Sequence, residues 1–360
     1  MTDEVGDLVL KTNYHQTLAI SLDEAAAPSL IDEHARFMRA LEEQGKLDRE
    51  VEFLPSEEEI AERRAKGTGL TRPEISVLVA YAKIDIFADL VPSDVLDDPY
   101  VERFLIEYMP APLRKKHGEA LRNHRLRKEI IATVLANMLV NEGGPTFCSR
   151  LGEDVGVSVG DIVKAFIITR EVFGLAEIAA EVNALDNKIA ASVQIEIHQA
   201  LSDMLAAQSQ RLLQDNCQAI GDAIELYRSG IAEIAAIAET SVGSFSRERL
   251  ASRTSELIDK GAPEDLARRV ALSELLGGAI DIFDVAAKLG RNVSDVAASY
   301  FAAGARFSLD WLRSSARSVE VSDHWERIAV ARLMADMRVH QSNIAVAALS
   351  LDGAKPGEDS

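Results

Sequence analysis

The chain has 360 residues, 47% hydrophobic and 27% charged but only 5% aromatic, and it is longer than one hydrophobic core usually supports. Its 39 Lys+Arg against 58 Asp+Glu leave a formal charge of −19, which argues against a general binder of nucleic acid or anionic membrane, since such surfaces are basic. Two cysteines, Cys148 and Cys217, make neither a disulfide framework nor a metal quartet, and the acidic start Met1-Thr-Asp-Glu lacks the cationic and apolar regions of a signal peptide; a reducing cytoplasm is the expected compartment.

Taken in order, residues 1–25 read as a helix carrying Val5, Leu8, Val9, Leu18, Ile20 and Leu22. A second helical run goes from Ser29 to Gln44 and stops at Gly45, a common residue just past a helix end. Ser56-Glu-Glu-Glu predicts an N-cap with acids in the first turn of a charged helix through Lys66, and Gly67-Thr-Gly69 breaks it. The next segment is the one on which the rest is centred. Thr71 is placed to cap, Glu74 three residues on completes a capping box, and Pro73 sits in the first turn, where a missing N–H costs nothing. Ile75, Val77, Leu78, Val79, Tyr81, Ile84, Ile86, Phe87 and Leu90 then make a helix over 71–90 that is apolar on nearly every side and is expected to be covered by neighbours. Lys83 and Asp85 interrupt it, so it reads as a buried helix and not a bilayer span.

Val91-Pro-Ser and Asp97-Asp-Pro99 signal turns, followed by a short helix with Val101, Phe104, Leu105 and Tyr108 on one side. One helix is predicted from about Lys116 to Asn141, basic in its first half and apolar in its second. Further on, Val159-Gly-Asp-Ile-Val-Lys-Ala-Phe166 with Phe173 and Leu175 lines up with Val293-Ser-Asp-Val-Ala-Ala-Ser-Tyr300 with Phe307 and Leu309, which suggests a duplicated helical hairpin. Long helices are expected from Asp186 to about Gln214 and from about Ser322 to Leu349, with four shorter ones between. No alternating strand pattern of useful length occurs. The expected fold is all-α: a multi-helix bundle of two packed helical subdomains, divided as an N-terminal arm (1–67), a central subdomain (68–185), a long-helix bundle (186–350) and a disordered tail (351–360).

Signatures of chemistry are scarce. There is no Gly-x-Gly-x-x-Gly, Walker loop, His-Glu-x-x-His, Cys-x-x-Cys or Gly-x-Ser-x-Gly, and the seven histidines are scattered, so no metal site is expected. Lys83 stands out because a buried lysine with a lowered pKa is a catalytic candidate; the plainer reading sends its ammonium to water or to a carboxylate on another helix. Thr133, Asn137 and Asn141, four apart, form a polar stripe that reads as a helix–helix hydrogen-bond strip or an exposed edge, with a ligand lining as the functional alternative. The basic run from Leu113 to Lys128 lacks interleaved aromatics, and docking to an acidic face of this chain or of another subunit suits it better than nucleic acid. The candidate interface residues are Arg72, Glu74, Tyr81 and Lys83 on the central helix, with Arg122, Arg125, Arg127 and Lys128 in the basic run.

Four strings in order carry a family resemblance: Leu8-Val-Leu-Lys-Thr-Asn-Tyr-His-Gln16, then Leu70-Thr-Arg-Pro-Glu-Ile-Ser-Val-Leu-Val-Ala-Tyr-Ala-Lys83, then His124-Arg-Leu-Arg-Lys-Glu-Ile-Ile-Ala-Thr-Val-Leu-Ala-Asn137 with Val140-Asn141, and Asp323-His-Trp-Glu-Arg327. Together they resemble the C-terminal helical region of the large NAD-specific glutamate dehydrogenases. The resemblance implies an enzyme that oxidatively deaminates L-glutamate to 2-oxoglutarate and ammonia with NAD⁺ as hydride acceptor. In that family the chemistry belongs to a Rossmann-type part lying before this region, so Met1 would be an internal methionine of a longer protein. No Gly-rich dinucleotide turn or lysine-bearing substrate pocket is recognisable here, and no catalytic, cofactor or metal residue is assigned. The expected role is a non-catalytic region that supports the catalytic part, assembly or regulation, with the upstream domain and a homo-oligomer as partners. Two other readings remain: a free-standing helical adaptor docking through residues 113–128, and a helical lyase or hydrolase using Lys83.

Overall fold

The capping box at Thr71 sets the start of the central helix. In a computed structural model, which describes residues 2–214, 219–319 and 324–353, this helix spans Arg72–Leu90. Thr71 donates to the Glu74 carboxylate from its backbone N–H at 2.7 Å and from its hydroxyl at 2.8 Å. Cys217, Asp323 and the tail beyond 353, all of which figured in the sequence reading, lie outside the described residues.

The elements in chain order are α1 (Thr2–Glu43), α2 (Glu57–Ala65), α3 (Arg72–Leu90), α4 (Glu102–Tyr108), α5 (Ala111–Arg122), α6 (Arg127–Gly143), α7 (Phe147–Val155), α8 (Val159–Val172) and α9 (Leu175–Asn183). They continue with α10 (Ala191–Leu213), α11 (Ile220–Ser241), α12 (Ser244–Asp259), α13 (Glu264–Ser273), α14 (Ala279–Leu289), α15 (Val293–Arg306), α16 (Leu309–Arg317) and α17 (His324–Gly353), plus three short 3₁₀ turns. No strand occurs among the described residues, as the all-α reading expects. No described helix is long and apolar enough to cross a membrane.

The helices gather into two compact units, Met1–Thr169 with Ser209–Ala223, and Arg170–Gln208 with Ile224–Ser360. In the first, α3 packs against α1 and α6, and α6 also carries α4. Ile75, Leu78, Val79, Ala82 and Ile86 of α3 are buried with Ile131, Leu135 and Leu139 of α6, and Phe147 meets Phe166 edge-on at 6.0 Å. In the second, α15 packs on α14, α16 and α17, and α12 on α13 and α16. Val296, Tyr300 and Phe301 of α15, Met337 of α17 and Leu266 and Val270 of α13 are buried there.

Two local expectations need correction. The two N-terminal helices are one, α1, running through Pro28. Pro28 lies on the exposed face, so the carbonyl it leaves unpaired can turn to water, while Ala27 and Ile31 remain buried on the inner face. The helix expected from Lys116 to Asn141 is two, α5 and α6, broken at 123–126. There the Asn123 amide donates to the Glu119 carbonyl and His124 Nδ1 accepts from the Leu126 N–H at 3.1 Å; these side chains compete with the helical ladder. As expected, α3 is covered over most of its surface; its open strip carries Ile84, 64% exposed, with Ala80 and Ala88.

The two segments of matching sequence have matching element lengths. Both α8 and α15 have 14 residues and begin at Val159 and Val293, and both α9 and α16 have 9. Gly174 precedes α9 in the left-handed region at φ 62°, and Ser308 precedes α16 at φ 55°.

Candidate functional site

The start of α3 is a junction of charged side chains in the first unit. Arg72 reaches α1, donating to Ser21 Oγ at 2.9 Å and to Glu24 at 2.8 Å. Glu74 is gripped by both terminal nitrogens of Arg63, at 2.6 and 2.8 Å, in the two-pronged geometry that suits a guanidinium and a carboxylate. Burial alone would raise the Glu74 carboxyl, but Arg63 and the two Thr71 donors outweigh it and hold Glu74 below the usual glutamate range. Tyr81 donates its hydroxyl to Glu52 at 2.7 Å, and that bond pushes the phenol above its ordinary pKa. These three predicted interface residues are therefore engaged within the chain.

Lys83 is different. It is half-buried, and no carboxylate among the described residues pairs with it; the nearby Asp85 is taken by Lys46. Burial lowers the Lys83 ammonium to about 8. On α6, Thr133 and Asn137 bond back to the carbonyls four residues earlier, at 2.7 and 2.8 Å, and Asn141 Oδ1 is buried without a hydrogen-bond partner. Cys148 is buried, and burial together with Asp85 and Asp89 pushes its thiol far up, away from thiolate chemistry.

The basic run divides in two. Arg122 pairs with Glu102 at 2.7 Å, and Lys128 and Arg127 pair with Asp97 at 2.8 and 3.5 Å, holding the Asp97 carboxyl below its usual range, Lys128 above all. Arg125, Lys115 and Lys116 are exposed. The structure thus brings Arg72, Glu74, Tyr81 and Lys83 onto one helix, and ties most of the basic group to acids of neighbouring elements.

Sequence reading passed over two clusters. Asp23 and His34, both buried in α1, lie 3.0 Å apart, Oδ2 to Nε2, though not aligned as a hydrogen bond, and neighbouring Glu33 accepts from Thr146 Oγ1 at 3.1 Å. Their spacing on the inner face of α1 was the only signal. In the second unit, Arg249, Arg253, Arg313 and Arg338 line one cleft with Tyr300. These residues are scattered over ninety positions with no spacing to find them by.

A family model described as "Glutamate dehydrogenase, C-terminal" matches residues 67–360. The chain is 37% identical over 361 residues to an NAD-specific glutamate dehydrogenase of Pseudomonas aeruginosa, 35% over 354 residues to one of Halomonas elongata and 30% over 370 residues to one of Mycobacterium tuberculosis. These matches take in 98% to 100% of this chain but only 22% of each relative's length. The capped α3 that opens soon after residue 67 and the helices that follow it are therefore those of a known family, and the chain belongs to the C-terminal region of the glutamate dehydrogenases.

Proposed function

We propose that this chain is the non-catalytic helical region of a large NAD-dependent glutamate dehydrogenase. The whole enzyme would convert L-glutamate, NAD⁺ and water to 2-oxoglutarate, ammonia and NADH, while this region supports the catalytic part, its assembly or its regulation. The observation that carries this reading is the end-to-end match to about a fifth of each relative. The architecture supports it as well. Dinucleotide sites of the Rossmann kind are built at the carboxyl ends of parallel strands, and the described residues form helices only.

Exposed apolar surface supports a docking role. In the N-terminal half of α1, Val5, Leu8, Val9 and Leu10 are all exposed, Leu10 at 68%. On α16 and α17, Trp311, Leu312, Trp325 and Leu333 are exposed, Trp325 at 74%. Apolar patches of this kind on soluble chains mark surfaces that meet other protein. The partners we assign are the catalytic domain of the same polypeptide and further copies of it, in the cytoplasm. The charge of −19 gives no support to nucleic acid or an anionic membrane.

Two experiments test the assignment. The chain alone is expected to fold, to give a helical circular-dichroism spectrum and to show no saturable heat on titration with NAD⁺; saturable NAD⁺ binding would overturn the division of labour. An immunoblot of native lysate is expected to show a band far above 39.2 kDa. A band at that mass would favour a free-standing adaptor, for which the exposed Arg125, Lys115 and Lys116 are the available docking charges.

A further inference from the structure

One cleft in the second unit gathers four arginines. Its walls come from α12, α15, α16, α17 and the 3₁₀ turn Glu274–Gly278. Four arginines face it, Arg249, Arg253, Arg313 and Arg338, against two carboxylates, Glu274 and Asp310. Three more carboxylates, Glu196, Glu256 and Asp281, stand behind the lining beside Arg253 and Arg338, so what the cleft offers is a cluster of guanidinium donors and not a net charge.

The arginines are fixed in place. Arg313 is held by Asp310 and by the side-chain oxygen of Gln341, a wholly buried residue whose amide donates to the Tyr300 carbonyl at 2.8 Å. Arg249 donates to Ser314 Oγ and, at 3.3 Å, to Glu274. Arg253 bridges Glu196 and Glu256 and lies 3.5 Å from Glu274. Arg338 is the least committed, 3.8 Å from Asp281. A guanidinium has five N–H donors, so each pairing leaves donors over.

Two hydroxyls supply the second observation. Tyr300 is only 4% exposed and Ser246 only 5%, both line the cleft, and neither hydroxyl has a hydrogen-bond partner among the described residues. The Tyr300 ring lies over Gly278, where an added Cβ would come within 2.7 Å of Cζ. Both residues line the cleft, where water or a ligand oxygen can meet these hydroxyls. Burial pushes the Tyr300 phenol up to about 12, so it keeps its proton and can only donate to an anion.

We propose that this cleft binds a compact oxyanion, a small dicarboxylate or a phosphate-bearing metabolite, through Arg249, Arg313 and Arg338 with Tyr300 and Ser246 as neutral donors. The open volume of about 80 Å³ is several times the roughly 10–15 Å³ that one water needs, room for a phosphate or a small diacid. Planar, forked guanidinium groups are the side chains best matched to carboxylate and phosphate oxygens.

The test is thermal unfolding and calorimetric titration of the 360-residue chain with inorganic phosphate and, separately, succinate, each against potassium chloride at equal ionic strength. Saturable stabilisation by phosphate or by succinate, absent with chloride, is expected, and whichever anion binds names the source. Tyr300→Phe removes one oxygen that has no protein partner, so the ligand-free midpoint should hold while the dissociation constant rises about fivefold. Arg338→Met, which breaks only a long ion pair, should weaken binding about tenfold or more. No saturable binding of either anion, or binding that both variants leave unchanged, overturns the proposal. The readout is binding by this chain itself, so it does not depend on the dehydrogenase assignment.

Discussion

Replacing Lys83 by Met tests how α3 accommodates an unpaired lysine. The two side chains have similar length, so the substitution keeps the packing of the stem and removes the ammonium. With the group lowered from 10.5 to about 8 by burial, the fold disfavours the charged form. A shift of that size corresponds to about 3 kcal/mol. Because Lys83 is only half-buried and its head is screened by solvent, we expect Lys83→Met to stabilise the chain by about 1–2 kcal/mol at pH 7. The sign of the pH dependence follows. Below about 8 both folded and unfolded chains carry the proton, and the penalty is present in full. Between about 8 and 10.5 the folded chain has released the proton and the unfolded chain has not, so the wild type gains stability with pH. Urea unfolding of both proteins at pH 7, 9 and 10, followed by circular dichroism, should show the gap between them closing as pH rises. A variant less stable than wild type at pH 7, or a gap that does not narrow by pH 10, would refute the account, because either result requires a carboxylate partner for Lys83.

Three further substitutions probe other joints. A Cβ on Gly69 would overlap the backbone of Ala27 in α1, so Gly69→Ala should cost about 1–3 kcal/mol and lower the urea midpoint; an unchanged midpoint would mean that α1 and the entry to α3 can move apart freely. Glu74 is held below its ordinary pKa, so its contribution is present above the unfolded value of 4.5 and is lost as pH falls below it. Glu74→Gln should therefore cost about 1–2 kcal/mol at pH 7, with the difference from wild type shrinking on acid titration below that value. Ser308 is exposed at φ 55°, where the corresponding position before α9 is Gly174, so Ser308→Gly should raise stability by about 0.5–1 kcal/mol in the thermal midpoint; a loss would show that the serine side chain is needed there.

Features whose cause lies within one helical turn were legible in the sequence. The cap of α3 uses Thr71 and Glu74, three residues apart, and the matched strings place Asp161 and Asp295 in the first turns of α8 and α15. Features set by what lies opposite were not. Pro28 punctuates a sequence yet leaves α1 whole, because its face is turned to solvent. The break after α5 depends on His124 finding the Leu126 N–H. That α3 would carry an interrupting lysine was plain, and its neighbours three and four residues away on the helix, Val79, Ala80, Ile86 and Phe87, offer no carboxylate; that no other described element supplies one was set by packing.

The same distinction governs where positive charge matters. Scanning along the chain picks out Leu113 to Lys128, where basic residues are dense in sequence; in space Glu102 and Asp97 stand beside Arg122, Arg127 and Lys128 and offset that part of the charge locally, while Lys115, Lys116 and Arg125 stay exposed. Exposed pairs of this kind contribute under about 1 kcal/mol each and leave little field beyond a Debye length. The arginines of the second unit are sparse in sequence, on α12, α16 and α17, and become a cluster only when those helices pack around Tyr300. Charge gathered by packing is partly desolvated, with Arg253, Arg313 and Arg338 side chains each 20% exposed or less, so each remaining donor acts through a lower effective dielectric than one on the open surface.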